Sequence, residues 1–521
     1  MKIKEKSNVQ PEKRESVFDL IKSMTKAEKR SFKLYATRLA GNQEAKFLSL
    51  FDYLDSVDEY DEVKVLQKCP VKKEQLPNMK AHLYRQLLVS MRLLGVQHSN
   101  AMQLREQLDF ARILYDKGLY KQSDKMLEKV IDQAFALEEH TIAIDAVHFQ
   151  SKIDTLNVAR DMTSTSDNAS RQVIGLAKDI LTASELSNLS TRVYSLYQKL
   201  GYARSQKDLD LIVLYFKPKL ESYDEKTLSF LGKSHYYQAW AWYYYIQHDF
   251  VTSYRYSRKW LELFDSKPNM KRVMYDDYMK GAAQILEALY LMRKYRHFAE
   301  HLSHFENEFV ALASLNPNAT LIGKRLLYVN KINKCFIEGE FKQGLLLVRE
   351  IEAFIRKYSH EMNVHHKMLI YYKIACLYFG DGNYTKCMEY LGRITSTKDP
   401  QIRRDLQVFS RILNLIASYE AGIDYNLDYQ IRSVYSFLVK SNDMGEVQKE
   451  MLSFLKKLNT IYAEDVKTEL KVLYNRLKPY ENRTFERRAF YYLDILSWLE
   501  SKITGKSVGE IVRRKFKELS A

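Results

Sequence analysis

The hydrophobic positions of this chain recur at intervals of three and four residues, a pattern that predicts amphipathic helices. In four segments such a helix ends at a turn residue, an aromatic residue follows two positions later, and a small residue follows three positions after that. The four sets are Gly118, Tyr120 and Ser123; His248, Phe250 and Ser253; Gly339, Phe341 and Gly344; and Gly382, Tyr384 and Cys387. Glycine readily adopts the left-handed conformation that closes a helix, and a small residue lets two helices approach closely. The pattern therefore predicts a series of helix hairpins.

Weaker turn signals of the same kind extend the series, near Thr163, Gln206, Arg296 and Gly422. From position 118 to position 422 the eight turns are separated by about 43 residues on average. Short turns and two helices of roughly 17–19 residues each fill such a period. An apolar face on each hairpin is then buried only against the neighbouring hairpins, as in a repeat protein.

Two of these hairpins resemble the tetratricopeptide repeat, whose pattern places aromatic, Gly, Ala and apolar residues at these offsets. The matching residues are Phe110, Ala111, Leu114, Gly118, Tyr120, Ser123, Leu127 and Val130 in one, and Tyr371, Ala375, Tyr378, Gly382, Tyr384, Cys387, Leu391 and Ile394 in the other, with Pro400 close to the family's terminal proline. The period is longer than the family's usual ~34 residues. The resemblance implies an all-α, right-handed solenoid of stacked antiparallel hairpins over residues 101–445. A helical N-terminal flank (1–100) and a basic helical C-terminal cap (446–521) would enclose it.

Composition agrees with long helices and argues against a sheet protein, a secreted protein and a membrane protein. The chain has only 8 Pro and 17 Gly, whereas a sheet protein of this length needs many tight turns rich in both residues. The first fifteen residues lack the apolar core of a signal peptide. The most apolar stretch, residues 240–246, is far shorter than the ~20 residues that cross a bilayer. None of the four cysteines forms a Cys-x-x-Cys pair, so we expect a cytoplasmic protein without membrane segments, disulfides or structural zinc.

Motifs of catalysis are missing from the sequence, which has no Gly-rich phosphate loop, no Gly-x-Ser-x-Gly elbow and no kinase signature. His297, His301 and His304 recur on one predicted helix at a spacing that a metal site would require. Packed or solvated histidines have the same pattern, and we favour that interpretation. The segment 360–366 resembles a His-Glu-x-x-His motif with one residue too many, and we expect it to form a loop. We therefore expect a protein that is not an enzyme and holds no metal or other cofactor.

The resemblance also indicates which residues would face a binding groove. In the tetratricopeptide family, positions 2, 5, 9 and 12 of the first helix line the concave surface. Transfer of these offsets gives the candidate partner-binding residues Arg105, Arg112, Tyr115, Gln238, Trp242, Tyr245, Tyr290, Arg293, Asn333, Phe336 and Tyr372. Aromatic residues and Arg are typical of recognition surfaces. Longer helices would shift the offsets and place some of these residues in the core.

Two hypotheses for the function remain, and the second depends on where the positive charge lies. The chain carries a net charge of +16, of which residues 1–35 contribute +5 and residues 466–521 contribute +6. The leading hypothesis is a scaffold that binds a peptide or helix of a protein partner in the groove. The alternative is a nucleic-acid-binding or regulatory protein that uses its basic ends, which is not favoured because acidic residues interleave the basic ones and no nucleic-acid-binding motif is present. The candidate phosphate contacts are Lys26, Lys29, Arg30, Lys33, Arg513, Arg514, Lys515 and Lys517.

Overall fold

All regular elements in the described part of the chain are helical, so the protein is all-α. The computed structural model describes residues 15–38, 42–95, 99–155, 162–359, 361–397, 402–423, 427–441, 443–458, 461–462 and 464–520, with the backbone alone at 42–46, 162–166 and 520. The helices are α1 (Ser16–Ser23), α2 (Lys26–Arg38), α3 (Asn42–Ser56), α4 (Glu62–Lys68), α5 (Leu76–Gly95), α6 (Asn100–Asp116), α7 (Tyr120–Ala136), α8 (His140–Asp154), α9 (Met162–Leu200), α10 (Gln206–Glu221), α11 (Phe230–Ile246), α12 (Phe250–Ser266), α13 (Met270–Val273), α14 (Tyr275–Leu291), α15 (Tyr295–Ala313), α16 (Pro317–Glu338), α17 (Phe341–Leu346), α18 (Val348–Lys357), α19 (Val364–Asp381), α20 (Tyr384–Thr395), α21 (Arg404–Glu420), α22 (Leu427–Lys440), α23 (Glu446–Leu458), α24 (Val466–Leu477), α25 (Arg488–Tyr492), α26 (Ile495–Thr504) and α27 (Val508–Ser520). None of the helices in this part of the chain has the length and apolarity needed to span a membrane.

Left-handed residues end the helices at most of the predicted turns. Gly118, Gly339, Gly382 and Gly422 have φ values of 74°, 70°, 84° and 67°. His248 takes the same conformation, with φ 66°, which is uncommon for a residue with a side chain.

The remaining predicted turns differ in position. The turns expected near Gln206 and Arg296 have their left-handed residues at Gly201 and Arg293. Thr163 lies in the first turn of α9, a helix of 39 residues, and residues 156–161 before it are outside the described residues.

The chain forms two compact units, Met1–Val173 (unit 1) and Ile174–Ala521 (unit 2). In unit 1, α1 to α5 share a core in which Phe32, Phe51 and Leu87 are completely buried. The following helices α6, α7 and α8 pack in sequence order. Ser123 donates a hydrogen bond of 2.7 Å to the carbonyl of Ala111, which shows that the small residue brings α7 close to α6.

Unit 2 consists of hairpins whose first helices pack against each other. The hairpins pair α11 with α12, α14 with α15, α16 with α17 and α19 with α20, and the first helices pack in the order α11, α14, α16, α19, α21. At the start of this row, the ring centre of Tyr197 of α9 lies 5.0 Å from that of Trp242 of α11. At its end, the amide of Arg403 donates 3.2 Å to the carbonyl of Gln198. The row therefore returns to α9, and the first helices enclose an inner surface.

The C-terminal helices pack along this array. Residues 446–521, which the sequence predicts as a C-terminal cap, contribute Leu455, Leu473 and Trp498 to one core with buried residues between positions 328 and 438. Helix α27 packs against α16 and α19 and buries Ile511. The sequence shows that α27 is amphipathic, whereas only the tertiary structure shows which surface covers its apolar face.

Candidate functional site

A ladder of hydrogen bonds crosses the inner surface of unit 2 from one hairpin to the next. The hydroxyls of Tyr202 and Tyr245 are 2.8 Å apart, and Tyr245 donates 3.4 Å to Oε1 of Glu287. Asn333 donates from Nδ2 to Oε2 of Glu287 at 3.3 Å, and its Oδ1 accepts from Nζ of Lys373 at 2.6 Å. Successive partners are 43, 42, 46 and 40 residues apart in the sequence. The ladder thus links consecutive hairpins, from Tyr202 just after α9 to Lys373 on α19.

Lys373 ends the ladder inside the protein. Its side chain is 8% exposed, and Nζ lies 5.6 Å from the ring centre of Tyr290 and 5.8 Å from that of Phe336. Burial lowers the pKa of Lys373, and the nearby Glu287 opposes that shift. The ammonium group is held by one amide oxygen and two aromatic faces, without a direct ion pair in the described residues.

Arg403 is a second buried cation on the inner surface. It is 1% exposed and adopts the left-handed conformation with φ 47°. Nε and Nη2 donate to the carboxylate of Asp405 at 2.8 and 2.6 Å, whereas Nη1 has no hydrogen-bond partner among the described residues. Burial opposes the charge on Arg403, but the Asp405 carboxylate outweighs it and raises the pKa of Arg403.

A cavity of about 1030 Å³ lies between these cations and the C-terminal part of unit 2. Lys373, Arg403 and Tyr372 line its inner wall, and Tyr491 and Phe516 line the opposite side. Charged side chains of both signs surround it. The rest of the wall is largely aromatic and aliphatic, and of the charged side chains Lys373 and Arg403 are buried, so these two would orient a ligand in the interior.

The cavity is covered by residues 478–520, which we call the C-terminal segment. Arg487 donates from Nη2 to the carbonyl of His248 at 2.6 Å, and Arg513 donates from Nη1 to that of Gly339 at 3.1 Å. The ring of Tyr492 stacks 4.3 Å from Phe409. Both arginines therefore bind the backbone of left-handed turns that close inner helices.

Six of the predicted groove residues lie around this cavity. Tyr290, Arg293, Phe336 and Tyr372 line it. Tyr245 and Asn333 belong to the hydrogen-bonded ladder. These residues come from α11, α14, α16, α19 and the turn after α14, so the structure brings them together across four hairpins.

Two other candidates contact α9 rather than the cavity. Gln238 accepts a hydrogen bond of 2.7 Å from the hydroxyl of Ser190. The ring of Trp242 lies 4.8 Å from that of Tyr194. Both side chains are half-buried, and they join α11 to α9.

The remaining three candidates belong to unit 1 and do not line the cavity. Arg105 is exposed. Arg112 donates from Nη2 to both oxygens of Asp145 at 3.0 and 2.8 Å. The ring centre of Tyr115 lies 5.4 Å from that of Phe149. Their hydrogen bonds and ring contacts are made within unit 1.

Sequence reasoning missed Glu287, Lys373 and Arg403. Glu287 and Lys373 each stand alone in an apolar stretch of a first helix, and a lone charge on such a face is a signal for a buried polar partner. Arg403 carries no comparable signal, because it lies in the link before α21.

The two histidine groups noted in the sequence lie in different parts of the fold, on α15 and at the start of α19. His297, His301 and His304 lie on α15, and burial lowers the pKa of His301. In the described residues no three potential ligands are grouped as a metal ion would require. The sequence predicts that segment 360–366 is a loop, but its last three residues belong to α19, which begins at Val364. Asn363 caps this helix by accepting a hydrogen bond from the amide of His366. His360 lies outside the described residues.

Several basic residues of the nucleic-acid hypothesis form ion pairs. Lys29 and Lys33 contact Asp55 and Asp52. Arg514 and Lys515 both contact Glu500. An acidic partner on each cation reduces the positive field that phosphates would meet.

Comparison with known proteins leaves the inner surface of unit 2 as the main guide to function. No family model matches this chain, and neither a curated protein nor a solved structure is similar to it.

Proposed function

We propose that this protein is a non-enzymatic scaffold that binds a helix or peptide of a protein partner on the inner surface of unit 2. In this proposal the hairpins form a right-handed solenoid of the tetratricopeptide type with a period of about 43 residues. The ladder intervals of 43, 42, 46 and 40 residues support such a period. A solenoid presents an extended concave surface, which suits an elongated ligand.

The observation that carries the proposal is the position of the C-terminal segment. This segment occupies the inner surface with a helix, α27, and with the aromatic side chains of Tyr492 and Phe516. Arg487 and Arg513 anchor it through backbone carbonyls. Aromatic and Arg anchors in a groove are the usual contacts of a peptide-binding surface. A partner segment with the same chemistry would bind where the C-terminal segment now lies.

A labelled peptide tests whether the surface accepts a separate segment. A fluorescent peptide with the sequence of residues 484–520 is titrated into the full chain and into the variant Arg487→Ala with Arg513→Ala. In the wild type, the tethered segment has a high effective concentration and excludes the peptide. The two substitutions weaken the binding of the tethered segment but not that of the added peptide. We therefore expect the variant to bind the peptide at least ~10-fold more tightly than the wild type does.

A matched variant, Arg296→Ala with Arg356→Ala, removes two exposed arginines from second helices. It should bind the peptide as weakly as the wild type. If the first variant binds no better than this control, the inner surface does not accept a segment in trans and the proposal is wrong.

Partner capture is then tested with a photo-crosslinking amino acid at one of two positions. Arg293 lies at the cavity rim, where its side chain is 58% exposed and 3.6 Å from Glu481. Lys386 lies on the second helix α20 and is also exposed. We expect discrete crosslinked partners from position 293 only. Identical products from both positions would contradict a partner on the inner surface.

A further inference from the structure

We propose that the cavity of unit 2 binds a small organic anion, a carboxylate or phosphate attached to a flat ring, through Lys373 and Arg403. This site goes beyond the scaffold function and does not depend on it. In the scaffold function the partner would take the place of the C-terminal segment, whereas the anion would occupy the interior that this segment covers.

Unused hydrogen-bond donors are the first observation. Arg403 uses Nε and Nη2 for Asp405, and its buried Nη1 has no partner in the described part of the chain. Lys373 uses one of its three donors, for Asn333. A buried donor without a partner costs about 1–3 kcal/mol. The Lys373 ammonium group would donate charge-assisted hydrogen bonds to an oxyanion in the cavity, and the positive charge of Arg403 would attract the same oxyanion.

Burial distinguishes the charges that line the cavity. Lys373 and Arg403 are buried; Arg403 is paired with Asp405, and Lys373 is linked to the half-buried Glu287 through Asn333. The other carboxylates in the wall are more exposed and belong to Asp249, Glu481, Asp494 and Glu518. The two buried charges that line the cavity are therefore both positive.

The size and walls of the cavity indicate a ligand with a flat ring. Its volume of about 1030 Å³ is at the upper end of the roughly 300–1,000 Å³ typical of small-molecule pockets. The aromatic residues that line it include Tyr197, Tyr290, Phe336, Tyr372, Tyr492 and Phe516. Such faces stack on a planar ring, and an aliphatic acid would leave them without a partner.

Binding of chosen probes tests the site in the full chain. Adenosine 5′-monophosphate and benzoate are titrated by calorimetry beside their neutral counterparts, adenosine and benzamide, and beside inorganic phosphate. We expect at least one ring-bearing anion to bind at least ~10-fold more tightly than its neutral counterpart and than inorganic phosphate. The phosphate and the carboxylate probes distinguish the two anionic groups.

Variants assign the binding to the cavity. Lys373→Met keeps the length of the side chain and removes its charge, and it should weaken the bound probe at least ~10-fold. Lys386→Met, on the exposed face of α20, should bind as the wild type does. Equal binding by both variants, or no binding of any anion at ~10 mM, a concentration ten times a 1 mM Kd, would overturn the proposal.

Protection of the wild-type lysine is a second measurement that does not need the variant to fold. Reductive methylation of Lys373 and Lys386 is followed by peptide mass spectrometry with and without the bound probe. The probe should slow methylation of Lys373 at least ~5-fold, because the occupied cavity excludes the reagent, and leave Lys386 unchanged. An unchanged rate at Lys373 would also overturn the site.

Discussion

Lys373 donates a hydrogen bond of 2.6 Å to Asn333 of the preceding hairpin, and Asn333 joins it to Glu287 of the hairpin before that one. Asn333 is completely buried, and its amide accepts from a cation on one side and donates to a carboxylate on the other. One neutral side chain therefore separates two opposite charges inside unit 2. The four tryptophans, Trp240, Trp242, Trp260 and Trp498, all lie in unit 2, so intrinsic fluorescence reports the unfolding of that unit.

Asn333→Leu should destabilise unit 2 by about 3 kcal/mol, because it leaves the buried Lys373 without its hydrogen bond. The added change Lys373→Met should restore more than half of the loss, since it removes the buried ammonium group that has lost its hydrogen bond. Urea unfolding followed by tryptophan fluorescence measures both. Asn318→Leu is the control, because Asn318 is exposed and its side chain bonds only to Tyr275 within the described residues. Equal losses for the two Asn variants would show that the ladder does not stabilise the fold.

Gly339→Ala and Gly382→Ala should differ although both glycines are left-handed, with φ 70° and 84°. Alanine in this conformation costs about 1–2 kcal/mol at either site. At Gly339 a Cβ atom would also lie 2.8 Å from the carbonyl oxygen of Gly509 and 2.9 Å from the amide nitrogen of Arg513, whereas nothing lies within 4 Å at Gly382. We therefore expect faster hydrogen exchange in α27 for Gly339→Ala alone. Equal exchange in both variants would place α27 away from this turn.

The buried imidazole of His248 should make unit 2 less stable in acid. Burial lowers the pKa of His248 to about 4, although its bond to the Ala203 carbonyl opposes the shift, and Arg487 and Arg488 add to the lowering. The folded state keeps this histidine neutral, while the unfolded chain binds a proton below its ordinary pKa of about 6.5. The stability it contributes is complete above pH 6.5 and is lost as the pH falls towards 4.

His248→Asn should therefore remove about 2 kcal/mol from the difference in unfolding free energy between pH 7 and pH 5. Asparagine tolerates the left-handed conformation and does not titrate. Urea unfolding at the two pH values measures the difference. His297→Asn, at an exposed position on α15, should leave it unchanged. A pH dependence as steep in His248→Asn as in the wild type would show that another group dominates.

The four free cysteines should react slowly in the native state. Burial raises the pKa of Cys376 to about 12 and also raises the pKa values of Cys69, Cys335 and Cys387. Because the thiolate is the reactive form, we expect every thiol to react at least ~10-fold more slowly than free cysteine at pH 7. A disulfide reagent measures this, and all four should react after unfolding in guanidinium. A rapidly reacting thiol in the native chain would contradict the burial of its helix.

The helix hairpins could be predicted because their signals are local. Gly339 and Gly382 close helices through their own φ angles, and the small residue Ser253 bonds to the carbonyl of Ala241 only twelve positions before it. Tyr245 and Asn333 were found as inner-surface residues because each lies at a fixed offset from such a turn. These features depend on residues within a single hairpin.

The interior chemistry was decided by the tertiary structure. Lys373 and Arg403 are buried because the row of first helices returns to α9, which places Arg403 beside Gln198. The C-terminal segment reaches its position through Arg487 and its partner His248, which are 239 residues apart. No local pattern records a contact across such a distance, since its free energy comes from surfaces that meet only after the hairpins have stacked. The sequence by itself therefore determined helices, turns and candidate inner residues, whereas closure of the array determined which charges are buried and what covers them.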